Sequence, residues 1–120
     1  MKKILIIDDE ELIVKVLSLR LEGEGYEVMQ SYDGNDGLDK AIKFKPDLAI
    51  VDLGLPKVDG NTICDVLKKN EKTKGIKIII LTGKKLMYDM EKAFESGADA
   101  YISKPYEFPL LLQKIKKLIG

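Results

Sequence analysis

The sequence predicts an α/β domain in which five helices doubly wind a five-stranded parallel sheet of strand order 2-1-3-4-5. Short apolar runs recur along the 120 residues and alternate with longer segments whose apolar residues have helical spacing. The first, third and fourth runs are almost continuously apolar, as is typical of parallel strands covered on both faces. The alternation therefore predicts a single domain over residues 1–120, with right-handed crossovers between its strands.

The pattern of each run indicates where its strand lies in the sheet. The second run interleaves Glu27 and Gln30 with apolar residues, and the fifth is short and carries Ser103, so we expect both at the edges. Apolar central strands one, three and four, flanked by strands two and five, match the doubly wound order 2-1-3-4-5. The predicted strands are residues 3–7, 26–30, 47–51, 77–81 and 100–103.

The segments between the strands predict helices because their apolar residues recur every three or four positions. Pro46 ends the second helix, and Gly97 ends the fourth. We expect the first helix to face the sheet with the apolar residues that share one side, namely Leu12, Ile13, Val16, Leu17 and Leu21. The predicted helices are residues 10–22, 35–44, 61–69, 85–96 and 107–119.

The composition excludes several classes of protein. Twenty basic and twenty acidic residues give zero net charge, so we expect no direct binding to nucleic acid or an anionic membrane, although a local patch could still do so. No apolar stretch approaches the roughly 20 residues that span a membrane. The single cysteine, Cys64, cannot form an internal disulfide, so we expect a packed thiol in a reducing, cytoplasmic setting.

Four of the five predicted strands run directly into a reactive polar residue. Asp8 and Asp9 follow the first strand, Asp52 the third, Thr82 the fourth and Lys104 the fifth. The carboxyl ends of parallel strands lie along one edge of the sheet, so these side chains should meet in one pocket. Three carboxylates, a hydroxyl and an amine suit the binding of a divalent metal and the transfer of a phosphoryl group.

The acidic residues also have ordinary structural roles. Asp8 or Asp9 could cap the helix that follows, because acids favour a helix N-terminus. Adjacent carboxylates repel each other and raise a pKa, however, and Mg2+ relieves that repulsion. Asp52 could accept a loop hydrogen bond, but opposite two other acids it is better explained as a metal ligand or as a nucleophile that becomes an aspartyl phosphate.

Thr82 and Lys104 each have a structural and a functional interpretation. Thr82 is either the N-cap of the next helix or a donor to a phosphate oxygen. Lys104 is either a solvated charge before Pro105 or a partner of the Asp52 carboxylate and then of the phosphate. We predict a cis peptide bond between Lys104 and Pro105.

With these motifs in place, the chain resembles the receiver domain of two-component response regulators over essentially all 120 residues. The matching motifs are residues 4–10, 46–56, 59–60, 81–83 and 97–106. The resemblance implies a flavodoxin-like (βα)5 fold. It also implies a phosphorylation-activated signalling switch that is no general enzyme, because it catalyses only its own phosphorylation and dephosphorylation.

The resemblance assigns roles to the predicted pocket. It implies that Asp52 is the phosphoacceptor and that Lys104 contacts the phosphoryl group. It implies that Asp9 and Asp52 bind Mg2+ directly, that Asp8 acts mainly through water, and that the Gly54 carbonyl is a further ligand. In many family members a larger side chain stands in place of Gly54, which leaves the rate of dephosphorylation open.

The resemblance further implies a switch and its partners. Thr82 and Tyr101 would form the switch pair, which changes the surface of the fourth helix, fifth strand and fifth helix. The structural alternative for Tyr101 is an edge-strand aromatic that packs on the fourth or fifth helix. The donor would be a phosphohistidine on a sensor histidine kinase or histidine phosphotransfer protein, and the output a downstream effector. The domain itself would be a monomer or a phosphorylation-linked dimer.

Two other functions remain open at this point. An aspartyl-nucleophile phosphohydrolase usually carries a second acid two positions after the nucleophile, and this chain has Gly54 there. A non-phosphorylated receiver-like binding module usually lacks a key residue, and none is missing here. Steady turnover of a phosphomonoester would favour the first, and failure to accept a phosphoryl group would favour the second.

Overall fold

Five parallel strands form one sheet in the order β2-β1-β3-β4-β5, as predicted. The computed structural model describes residues 1–83 and 97–120. The strands are β1 (Lys3–Ile7), β2 (Glu27–Ser31), β3 (Leu48–Asp52), β4 (Lys77–Thr82) and β5 (Ala100–Ser103). The described helices are α1 (Glu11–Gly23), α2 (Gly34–Phe44), α3 (Gly60–Lys69) and a C-terminal helix (Phe108–Ile119).

The predicted bounds agree closely with the observed ones. Each of these elements begins and ends within one residue of its prediction. The helix predicted at 85–96 lies outside the described residues. The agreement follows from strong end signals: Asp33 and Asp59 accept the amide hydrogens of Asp36 and Thr62 at 2.8 and 2.9 Å, which caps α2 and α3.

The sheet buries both of its faces, because side chains alternate along each strand. Leu5 and Ile7 of β1 face a core layer that α2 and α3 cover, and this layer includes the fully buried Cys64. Ile4 and Ile6 of β1 face the other layer, which α1 and the C-terminal helix cover. Both faces of β3 are buried throughout, which positions its last residue rigidly.

The predicted inner face of α1 is wrong in part. Leu17 and Leu21 are buried as expected, but Leu12 is 76% exposed and Val16 is 51% exposed. The buried side of α1 consists of Val14, Leu17, Ser18 and Leu21. The helix is apolar around much of its circumference, so periodicity alone did not reveal which stripe the sheet covers.

Candidate phosphoryl-transfer site

The carboxyl edge of the sheet brings the predicted polar residues together. In the strand pairing, Ile7 lies opposite Val51, Asp52 opposite Leu81, and Thr82 opposite Ser103. The residues that follow these strand ends therefore stand side by side, although they come from the whole length of the sequence. The edge carries Asp8 and Asp9 after β1, Asp52 at the end of β3, Thr82 at the end of β4 and Lys104 after β5.

Three carboxylates form a compact acidic cluster at this edge. One carboxylate oxygen from each of Asp8, Asp9 and Asp52 lies within 4.8 Å of the other two. Asp8 and Asp52 are buried, whereas Asp9 is exposed to solvent. Oxygen ligands at this spacing fit a hard divalent cation that keeps some of its water, as Mg2+ does. In the described ranges, this is the one group of acids, cysteines or histidines close enough to hold a metal.

Lys104 bridges the two buried carboxylates. Its Nζ lies 3.3 Å from Asp8 Oδ2 and 3.3 Å from Asp52 Oδ1, and 3.8 Å from Glu10 Oε1. The pairing with Asp52 is the one expected from the sequence. The Lys104–Pro105 bond is cis, as predicted. The side chain of Lys104 is only 19% exposed, so its charge acts in a poorly solvated pocket.

Burial sets the electrostatics of this pocket. Burial is the largest cause that raises the pKa of Asp8, and the Asp52 carboxylate adds to it; the Glu10 amide and Lys104 oppose it without cancelling it. Burial by itself would lower the pKa of Lys104, but the nearby Asp8 and Asp52 charges outweigh it and raise that pKa. The lysine therefore stays cationic, while burial disfavours the ionised form of Asp8.

Asp8 combines the structural role and the electrostatic role between which the sequence did not decide. Its Oδ1 accepts the amide hydrogen of Glu10 at 3.0 Å, directly before α1, while its Oδ2 faces Lys104. Glu10, the N-cap residue, makes no side-chain cap of its own. One carboxylate thus satisfies a backbone donor at the helix start and forms part of the charged pocket.

Gly60 fixes the backbone around Asp52, and sequence reasoning missed this role. A Cβ atom at Gly60 would lie 2.7 Å from the Asp52 carbonyl oxygen and 2.8 Å from Leu53 Cα. The Gly60 amide donates to the Leu53 carbonyl at 3.1 Å, which closes the loop onto the strand end. The signal was present in the Asp-Gly pair that ends the loop after β3. Gly54, by contrast, is exposed, and its amide approaches Asp52 Oδ1 at 3.4 Å.

Thr82 and Tyr101 lie on the neighbouring strands β4 and β5. Thr82 is 1% exposed, and its carbonyl accepts the Lys104 amide hydrogen at 2.6 Å, so β4 helps to position the lysine. Tyr101 lies opposite Ile80 and is half-buried against the core layer under α2 and α3. Thr82 thus ends the strand next to β3, and Tyr101 lies on the strand beyond it.

Known proteins resemble this chain along almost its whole length. The family model described as the response regulator receiver domain matches residues 4–116. The DNA-binding dual master transcriptional regulator RpaA of Synechocystis is 41% identical over 119 residues, which is 99% of this chain and 49% of that protein. The chain thus spans about half the length of the curated relatives it matches.

Solved structures show the same fold. A CheY-like response regulator receiver domain protein from Methanospirillum hungatei has a TM-score of 0.92 and 36% identity, with 98% of this chain and 92% of that chain covered. The receiver domain of sensor histidine kinase PA1611 from Pseudomonas aeruginosa has a TM-score of 0.90 and 27% identity, with 99% and 98% covered. That structure holds a magnesium ion coordinated in its active site cleft.

Proposed function

Because this chain belongs to the response regulator receiver domain family, we propose that it is a phosphorylation-activated signalling switch whose phosphoacceptor is Asp52. The observation that carries the proposal is the position of the Lys104 ammonium, 3.3 Å from both the Asp52 and the Asp8 carboxylates. Because the ammonium already lies beside the Asp52 oxygen, it is placed to offset the negative charge that a phosphoryl group on Asp52 would add.

In the proposed reaction, an Asp52 carboxylate oxygen attacks the phosphorus of the donor. The new O–P bond forms as the bond from phosphorus to the donor's leaving group breaks, which gives an aspartyl phosphate. Lys104 Nζ, already 3.3 Å from Asp52 Oδ1, would stabilise the negative charge on the transferred group. The Thr82 hydroxyl, at the end of the adjacent strand, would donate to a phosphate oxygen.

Mg2+ is the cofactor that the acidic cluster fits. Asp8, Asp9 and Asp52 would hold it, with the Gly54 backbone carbonyl as a further ligand. When bound, Mg2+ supplies the positive charge that lets an anionic carboxylate react with an anionic phosphoryl group. The magnesium ion in the PA1611 receiver domain supports this assignment.

We further propose how the signal enters and leaves. The chain contains no histidine, so a phosphohistidine donor must be on a partner, either a sensor histidine kinase or a histidine phosphotransfer protein. Thr82 and Tyr101 would transmit phosphorylation to the surface of β5 and the C-terminal helix, where a downstream effector protein or domain responds. A cytoplasmic location and a phosphorylation-linked dimer are further expectations, the first supported by the free, buried Cys64.

Intact-mass analysis after incubation with Mg2+ and acetyl phosphate tests the proposal. We expect wild type to gain one phosphoryl group and Asp52→Asn to gain none, and a chelator should abolish the gain. Asp39→Asn is the matched control, since Asp39 is an exposed helix acid, 58% exposed and paired with Lys43. Phosphorylation of the Asp52→Asn variant would show that another residue is the phosphoacceptor. No modification of wild type would favour the receiver-like binding module, and steady hydrolysis of p-nitrophenyl phosphate would favour the phosphohydrolase.

A further inference from the structure

A second cavity opens at the opposite edge of the sheet, where the strands begin. Its volume is about 410 Å3, and we call it the lysine cavity because Lys2, Lys45, Lys72 and Lys77 line it. These residues come from the segment before β1, the end of α2, the turn after α3 and the start of β4. The whole domain has zero net charge, so this concentration of cations is local.

The four ammonium groups have no carboxylate partner within the described ranges. None of them lies within 4.0 Å of an acidic oxygen there, although seven other lysines do. Among the described residues, the one acid that lines the cavity is Asp47, and its Oδ2 accepts the backbone amide hydrogen of Lys3 at 2.8 Å. Four positive charges therefore surround a space with a single negative charge, which is itself engaged by the backbone.

Helix ends do not explain these lysines. The helix C-termini at this edge carry partial negative charge and favour cations in their last turns. Other residues already fill that role: Lys43 in α2, Lys68 and Lys69 in α3, and Lys116 and Lys117 in the C-terminal helix. Of the cavity lysines, only Lys45 flanks a helix end.

Apolar residues also line the lysine cavity, and we call the two that remain partly exposed, Leu118 and Ile119, its apolar wall. Pro46 and Ile76 are buried, with Ile76 only 5% exposed, and Leu118 and Ile119 at the end of the C-terminal helix are half-buried. The volume lies within the range of small-molecule sites, roughly 300–1,000 Å3. One cationic wall and one apolar wall suit a ligand that has the same two halves.

We propose that the lysine cavity binds a nucleoside diphosphate or a closely related nucleotide. The phosphates contact Lys72, Lys77 and the neighbouring ammonium groups, and the base and sugar pack on the apolar wall formed by Leu118 and Ile119. This site is distinct from the acidic pocket, because it lies at the amino ends of the strands whose carboxyl ends carry Asp8 and Asp52. Its occupancy therefore requires neither a metal nor phosphorylation of Asp52.

Titration with ADP in a metal-free, chelator-containing buffer tests this site, followed by amide chemical shifts in 15N NMR spectra. We expect saturable shifts at Lys72, Gly75, Lys77 and Ile119. The double variant K72Q/K77Q should weaken binding by about tenfold or more, because it removes two charge-assisted contacts. The control K15Q/K114Q removes the same charge from two lysines that make no ion pair in the described ranges, and it should leave affinity within about twofold.

Gly75→Trp blocks the cavity by volume instead of charge. Gly75 lines the cavity, and a Cβ atom there meets nothing within 4 Å, so a large side chain adds bulk at the cavity without a backbone clash at Cβ. We expect a folded protein that still accepts a phosphoryl group from acetyl phosphate but shows no saturable ADP shifts.

Three results would overturn the proposal. The first is unsaturable shifts in wild type. The second is an equal loss of ADP affinity in the two double variants, which would indicate general attraction of polyanions. The third is pyrophosphate binding as tightly as ADP, which would show that the apolar wall contacts nothing. These readouts do not depend on Asp52, so failure here leaves the phosphorylation switch untouched.

Discussion

The two edges of the sheet both gather like charges, but they do so in different environments. At the carboxyl edge, the side chains of Asp8 and Asp52 are 3% and 9% exposed and share Lys104 between them. At the amino edge, the side chains of Lys72 and Lys77 are exposed and make no ion pair in the described ranges. Charges interact more strongly when they are buried, because the dielectric constant around poorly solvated groups is low. We therefore expect substitutions at the carboxyl edge to change stability more than substitutions at the solvent-exposed amino edge.

The largest expected difference between the edges lies in their glycines. Gly60→Ala should lower the free energy of unfolding by about 3 kcal/mol, because its Cβ would lie 2.7 Å from the Asp52 carbonyl oxygen and backbone cannot yield easily. If the clash displaces the Asp52 backbone, it should also slow phosphorylation of Asp52. Gly75→Ala at the amino edge meets nothing within 4 Å and should stay within about 0.5 kcal/mol of wild type. Urea denaturation followed by circular dichroism measures the stability of both variants. Equal losses of stability would contradict the predicted difference between the two edges.

Removal of a lysine should also distinguish the edges. Lys104→Met leaves two poorly solvated carboxylates without their shared cation, and we expect a loss of about 2 kcal/mol at pH 7 in chelator. Lys77→Met, the matched change at the amino edge, should cost no more than about 0.5 kcal/mol. Chemical denaturation of the pair checks this prediction. A Lys104→Met protein as stable as wild type would show that the two carboxylates are well solvated.

Neutralising Asp8 should stabilise the metal-free protein. Burial raises the folded-state pKa of Asp8 above its ordinary value of 3.8. The unfolded chain therefore releases that proton first, and stability falls as pH rises from 3.8 to the folded-state pKa. Asp8→Asn keeps an oxygen for the Glu10 amide without the charge. We expect a gain of about 1 kcal/mol at pH 7 that disappears well below pH 3.8, together with weaker Mg2+ binding.

Thermal unfolding in chelator across pH measures this effect of Asp8→Asn, and Mg2+ titration measures the weaker binding. Asp9→Asn is the control, since Asp9 is exposed and should show no comparable gain in stability. An equal change in stability for the two variants would mean that burial does not disfavour the ionised form of Asp8.

The smallest effect should come from the rim of the carboxyl edge, at Asp36 in α2. Hydrogen bonds from Lys40 and, to a smaller extent, from Ser31 hold the pKa of Asp36 below its ordinary value of 3.8. Its ionised form therefore stabilises the fold above that pH, and the contribution is lost as pH falls through the lower, folded-state pKa. Because Asp36 is 41% exposed, solvent screening reduces the effect, and Asp36→Asn should cost about 0.5 kcal/mol at pH 7. Thermal unfolding of wild type and Asp36→Asn across pH measures this effect. A loss of stability that persists in strong acid would show that packing, and not the charge of Asp36, is responsible.

Local patterns allowed most of the fold to be predicted. Apolar runs predicted β1, β3 and β4 as central strands, and the same residues are buried on both faces. The inner face of α1 was not predictable, because Leu12 and Val16 are as apolar as the residues that the sheet covers. Only the packing of α1 on the sheet selected Val14 and Ser18 for burial.

The candidate site divides in the same way. The residue types were visible in the sequence, since each stands where a predicted strand ends. The role of Gly60 was not, because its nearest neighbours are the backbone atoms of Asp52 and Leu53, which only the folded loop brings to it. The lysine cavity was also hidden, since its four cations are spread from residue 2 to residue 77 and no run of basic residues marks them.

By itself, the sequence determined the strand and helix pattern, the strand order and the identity of the residues at the carboxyl edge. The strand and helix pattern depends on periodicity, which acts over short stretches of chain. The strand order and the common edge follow from a general rule for doubly wound parallel sheets, which applies once the strands are recognised. The tertiary structure alone decided how deeply each charge is buried, and therefore that Lys104 joins Asp8 to Asp52 while Lys72 and Lys77 face an open cavity. Burial and distance depend on residues far apart in the chain, which no local pattern records.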